Sequence, residues 1–186
     1  FREVGSIILS SCLSSLAIKA FVDSFGKCDD INRYMIVDVR SLSNKIQEAL
    51  CFYSIAVSEI YTNLSSMRLK SLSESISHNS KKYSLDNLPF LIRGLRHDYE
   101  YQNTISFSLI SESSINHLYS NEIIDNLCFY GNCFYSSADN KKIFLLLTPY
   151  KNNLNITAHY DSRCLTHEEV NHFVDLFSTS MEDYLI

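Results

Sequence analysis

The sequence predicts an α+β fold, a mixed and largely antiparallel β-sheet with helices packed on it. Three observations carry this. Helical periodicity opens and closes the chain, at Val4–Phe25 and Thr166–Leu185. Between these stretches lie short runs that either alternate or stay apolar, as strands do. With only four Gly and two Pro, the chain lacks the turn residues that a sandwich of many tight hairpins requires.

The first helix rests on Val4, Ile8, Cys12, Leu16 and Ala20, which recur every four residues and are flanked by Ile7, Leu9, Leu13 and Phe21. That is an amphipathic stripe, with serines filling the other face. Lys19 and Asp23 interrupt the run, which is too polar and too short for a membrane span or a secretory leader. Gly26 stands where a helix C-terminus wants a left-handed residue. Lys27–Arg33 reads as a polar loop, with Arg33 an exposed charge. Tyr34–Leu42 then reads as a strand. Met35, Val37 and Val39 point one way; Ile36, Asp38 and Arg40 point the other. A charge late in an apolar strand is either a solvated edge residue or a paired group with a specific job.

Cys51–Thr62 alternates. Tyr53, Ile55, Val57 and Tyr61 share one face; Ser54, Ala56 and Ser58 share the other, where small side chains mean close packing or a cavity wall. Ser65–Lys82 is helical in pattern, with Leu69, Leu72 and Ile76 turned to the core. Ser84–Arg96 is a second helical piece, interrupted near Pro89. Thr104–Ile110 is a strand. Leu127–Ser136, Ile143–Pro149 and Leu154–Tyr160 follow at hairpin-like spacings and read as an antiparallel meander, with the continuously apolar Ile143–Leu147 as an interior strand. In the last helix, Thr166 and Glu169 form a capping box. Val170, Phe173, Val174, Phe177, Met181 and Leu185 are its buried stripe, and Glu168, Asp175 and Glu182 face water.

At 186 residues, with no repeat, low-complexity tract or linker, residues 1–186 are expected to form one domain with its own core. The net charge of -5 and the absence of any Lys/Arg cluster argue against nucleic-acid binding. The six cysteines form no CxxC pair and mostly sit in apolar runs, which suggests reduced, buried thiols and a cytoplasmic setting. No membrane span is expected. His159, His167 and His172 have the wrong spacing for a shared metal site, since the two helical ones are five residues apart. His159 is expected to be a packed or edge residue. Cys128 and Cys133 read as core residues. Asn63-Leu64-Ser65 and Asn155-Ile156-Thr157 match glycosylation sequons, which the cysteine usage argues against using.

Helix, Val37-Asp38-Val39-Arg40 strand, second strand, helical region, further strands, a strand ending in Tyr160-Asp161 and a closing helix: this order resembles the C-terminal half of the chloramphenicol-acetyltransferase-like acyltransferases. That superfamily takes in alcohol and polyketide-associated acyltransferases and the condensation domains of peptide synthetases. The resemblance covers nearly the whole chain through short, degenerate motifs. It implies one lobe of an enzyme that uses an acyl-CoA or acyl-phosphopantetheine thioester as cosubstrate, with no covalently bound cofactor and no metal. The acceptor would be a small-molecule alcohol or amine. The family's HHxxxDG motif, whose His is the general base, is absent from this sequence and belongs to the N-terminal catalytic lobe, the expected partner within the same protein. The chain alone is thus expected to be inactive. Its strand after the VDVR stretch has Phe52-Tyr53-Ser54 where the family often carries Asn-Gly. By the resemblance, Arg40 occupies the position of the Arg that pairs with the motif Asp, a rigid two-point contact; the other reading is an exposed strand-end charge. Tyr53 and Ser54 could line the substrate tunnel. The alternative function is a non-catalytic α+β binding or interaction domain, or a fragment of a peptide-synthetase condensation domain.

Overall fold

A computed structural model describes residues 6–26, 30–38, 54–82, 103–110, 141–150 and 153–185. In chain order they form α1 (Ser6–Phe25), β1 (Ile31–Asp38), β2 (Ser54–Tyr61), α2 (Leu69–Ser80), β3 (Asn103–Leu109), β4 (Lys141–Tyr150), β5 (Asn153–Tyr160) and α3 (His167–Leu185). The five strands make one sheet in the order β2-β1-β3-β4-β5. Its centre is parallel, β1 with β3 and β3 with β4, and its two outer pairs are antiparallel. The fold is therefore α+β with a mixed sheet, as expected. Two of the four described strand pairs are antiparallel and two are parallel, and the antiparallel ladders are the longer ones. The meander reading holds for β4 and β5, while its first run, 127–136, and the helical piece at 84–96 lie outside the described residues.

β4 is buried from Lys142 through Thr148. Its apolar run needed neighbours on both edges and cover on both faces, and β3 and β5 supply the edges. On one face, Ile31, Ile105, Phe107, Ile143, Leu145 and Leu147 join the core with the three helices. α1 sits at its centre, touching α2, α3 and β3. Every residue from Ser11 to Ile18 is buried, serines included, so the serine side of this helix is not its water-facing side. Ser15 satisfies its hydroxyl by donating to the Cys12 carbonyl at 2.7 Å, the local back-bond open to a helical serine. Lys19 extends to the Leu64 carbonyl. α1 ends at Gly26, whose φ of 61° is free of strain only without a side chain; its N–H closes on the Val22 carbonyl at 3.0 Å.

α1 and α3 meet through aromatic rings. Phe21 packs edge-on to Phe25 at 4.6 Å and to Phe173 at 6.1 Å, and Phe173 stacks with Phe177 at 6.4 Å. Val170, Phe173, Phe177 and Met181 are buried, Val174 half-buried, and Glu168, Asp175 and Glu182 exposed. The capping box is formed: Glu169 N–H donates to Thr166 Oγ1 at 3.2 Å, and Thr166 N–H donates to Glu169 Oε2 at 2.8 Å. Those hydrogen bonds, the backbone one first, hold the Glu169 carboxyl below its usual value.

Two element boundaries differ from expectation. α2 begins at Leu69 rather than near Ser65, because Leu64–Ser66 forms a turn with Leu64 fully buried. More important, Ile31–Arg33 is strand, not loop, and all three side chains are buried. Two polar residues in a row hid the strand, and their partners lie on distant elements.

Candidate functional site

Of the residues the sequence singles out, Arg40 and Tyr53 lie outside the described residues. Ser54 opens β2 opposite Asp38 of β1. Among the described residues, the buried polar side chains of the sheet form two groups, one on each face.

On the helix side, Arg33 is 1% exposed. Its Nη1 donates to Glu59 Oε2 at 2.8 Å across the β1–β2 ladder; its Nη2 reaches Ser14 Oγ at 3.2 Å and Met35 Sδ at 3.1 Å. Glu59 also accepts from the Tyr61 hydroxyl at 2.6 Å, and Asn79 of α2 donates to that hydroxyl at 3.4 Å. Burial, then the adjacent Glu59 charge, drives the Tyr61 phenol above its usual range. This chain of contacts ties β1, β2, α1 and α2 together around one desolvated ion pair. The expected exposed charge at Arg33 is thus an internal strut. Sequence reasoning missed it because nothing local to Arg33 announces Glu59 or Ser14.

The other face has a different character. Register puts Asn32, Thr104 and Lys142 in one cross-strand row, with Ser106 two residues further along β3. All four are buried, as is Thr148 further along β4. Ser58 of β2 donates to Asn32 Oδ1 at 2.6 Å, and Ser58 belongs to the small-residue face expected of that strand. Asn32 Nδ2, Thr104 Oγ1, Ser106 Oγ and Thr148 Oγ1 have no hydrogen-bond partner. Phe144 packs against the ring of His159 at 5.7 Å, and burial lowers the His159 pKa. His159 is a packed residue of an edge strand, as expected.

Tyr160 contacts His167 Nδ1 at 3.2 Å, and Asp161 takes the Arg163 guanidinium at 3.0 and 3.2 Å to Nε. The Tyr160-Asp161 pair thus finishes β5 and organises the turn into α3. Among the described residues, no group of three His, Cys, Asp or Glu side chains could hold a metal, and no helix is long and apolar enough to cross a membrane.

Solved structures share this arrangement. A condensation domain that mediates chain release from the enacyloxin polyketide synthase superimposes with a TM-score of 0.56 over 90% of this chain, at 12% identity. The fold is that of the condensation and CAT-like acyltransferase domains. The PapA2 acyl transferase matches at TM-score 0.56 over 91% of the chain with 13% identity, and the epimerization domain of the third module of tyrocidine synthetase B at 0.56 over 91% with 10%. At such identities the likeness concerns the fold alone, and the three named reactions differ. This chain spans 34% of the condensation structure, 37% of PapA2 and 40% of the epimerization domain. No protein-family profile matches the sequence. No curated protein matches it either.

Proposed function

We propose that this chain is the C-terminal lobe of a thioester-dependent acyltransferase and forms one side of the substrate tunnel. The observation that supports it is the asymmetry of coverage: 90–91% of this chain against 34–40% of the neighbouring chains. The sequence adds that the HHxxxDG stretch is missing. In this reading an N-terminal lobe of the same protein, in the cytoplasm, brings the catalytic His. That His takes the proton from an alcohol or amine acceptor, which attacks the acyl carbonyl of a CoA or phosphopantetheine thioester. The thiolate leaves and the acyl ester or amide is released. Arg40 would hold the motif Asp, and Tyr53 and Ser54 would line the tunnel.

The test is a thioester-release assay on the purified chain, alone and joined to the lobe encoded beside it. Loss of a general base alone forfeits about a hundred- to ten-thousand-fold in rate, so the chain alone should not exceed buffer background and the joined protein should. Turnover by the chain alone, abolished by changing one of its histidines, would overturn the proposal. A parent gene without an HHxxxDG lobe would favour the non-catalytic binding domain instead.

A further inference from the structure

We propose that Arg33 and Glu59 are a positioning pair: they fix the register of β2 against β1 and so set where the far end of that ladder stands. The consequence for chemistry rests on the acyl-transfer reading; the register itself does not. Among the described residues β2 pairs with β1 alone. The connection between them, residues 39–53, is far longer than the two-residue turn that dictates a hairpin's register. Side chains on the strands must therefore choose it. On the helix-side face Ile31 stands opposite Tyr61, Arg33 opposite Glu59 and Met35 opposite Val57. A slip of two residues keeps every side chain on its own face. In one direction it sets Arg33 against Tyr61 and Glu59 against Met35; in the other, Arg33 against Val57 and Glu59 against Ile31. Apolar pairs are exchanged for apolar pairs, since Val57 would meet Val37, or Met35 would meet Ile55. The ion pair has no such substitute.

Burial makes the choice decisive. The two side chains are 1% and 9% exposed and meet at 2.8 Å. Either slip would part them and leave two charges out of water, a far larger cost than trading one apolar contact for another. Arg33 is the fixed member, because it also donates to Ser14 of α1 at 3.2 Å and its strand is held in parallel register by β3. Glu59 is the member it selects. Other contacts discriminate less. On the opposite face Ser58 donates to Asn32 at 2.6 Å, yet one of the two slips would set those residues directly opposite each other. Asn79 of α2 reaches Tyr61 at 3.4 Å, a long bond. At the far end of the ladder Asp38 stands opposite Ser54. A slip would carry β2 about 7 Å along β1, and with it Ser54 and, in the acyl-transfer reading, the tunnel wall. Selecting one pairing among near-equals is the best-attested use of a buried charged or polar group.

The register is read by disulfide trapping in the purified chain, with the linked peptides identified by mass spectrometry. Directly opposed cysteines can join, and diagonal ones are too far apart. Tyr34→Cys with Ser58→Cys reports the native register; Tyr34→Cys with Ile60→Cys, or with Ala56→Cys, reports the two slips. In the parent only the first pair should link. Arg33→Met with Glu59→Leu should let a slipped pair link as well, and the reversed pair, Arg33→Glu with Glu59→Arg, should return the single register. Val57→Glu with Glu59→Val moves the acid two residues along β2 and should transfer the link to Tyr34→Cys with Ala56→Cys, which decides the matter if the apolar variant fails to fold. Linking of the native pair alone in the apolar variant, or in the variant with the moved acid, would overturn the proposal. In the chain joined to its catalytic lobe, the apolar variant should lose about a hundredfold in kcat and the reversed pair should recover it. An unchanged kcat beside a slipped link would overturn the positioning role. A joined parent without turnover would refute the acyl-transfer reading, and the trapping result would still decide the register.

Discussion

Arg33 and Glu59 show how a polar residue is decided by partners far away in sequence. Removing one member of a buried pair leaves the other charged and desolvated, at a cost of about 3–5 kcal/mol. Arg33→Ala should lose that much in urea unfolding, whereas Lys70→Ala on the exposed side of α2 should stay within about 0.5 kcal/mol. Glu59→Ala should cost a similar amount, and the double variant much less than the sum, since both remove one interaction. His159 gives a pH-dependent counterpart. Its folded pKa lies below the usual 6.5, so the unfolded chain binds the proton more readily. Stability is full above that value and falls as pH drops through the folded one. Thermal midpoints between pH 7 and 5 should decline less in His159→Asn than in the parent. At this scale the candidate site was only partly legible. Alternation in β2 exposed the small-residue face that holds Ser58. Asn32 and Arg33 stayed hidden because each takes its hydrogen bonds from another strand or helix.

Elements read well where their signals are local. α3 carries its start in Thr166 and Glu169 and its stripe at helical spacing, and both are realised. Thr166→Ala should cost about 1 kcal/mol. Because hydrogen bonds depress the Glu169 pKa, its contribution is present above the ordinary carboxylate value and lost as pH falls through the folded one; Glu169→Gln should flatten that part of the acid limb of the stability curve. Phe173, fully buried between Phe21 and Phe177, should cost about 3–5 kcal/mol on truncation to Ala. β4 was legible from its unbroken apolar run. α1 was legible as a helix and misread in its surroundings: the serines opposite its apolar stripe suggested a wet side, yet α2 and α3 leave none between Ser11 and Ile18. Small side chains let neighbouring elements approach closely, and periodicity cannot tell that from solvation.

At the scale of the molecule, one sheet face is closed by three helices and the other carries buried, unsatisfied polar groups. Amide exchange should be slowest in β3 and β4, the strands at the heart of the helix-side core, and slower there than in β2 at the edge. The placement of α1 has a further consequence, for biosynthesis. α1 is the first described element to be translated and α3 the last, yet Phe21 and Phe25 close on Phe173. Throughout the intervening synthesis the first helix has no final partner for its aromatic edge, and contacts so distant along the chain form late. The nascent chain should therefore bind holding chaperones until α3 has emerged. Chains stalled on the ribosome before residue 167 should be cleaved by protease within 6–25, and protection should begin only when the closing helix has cleared the exit tunnel.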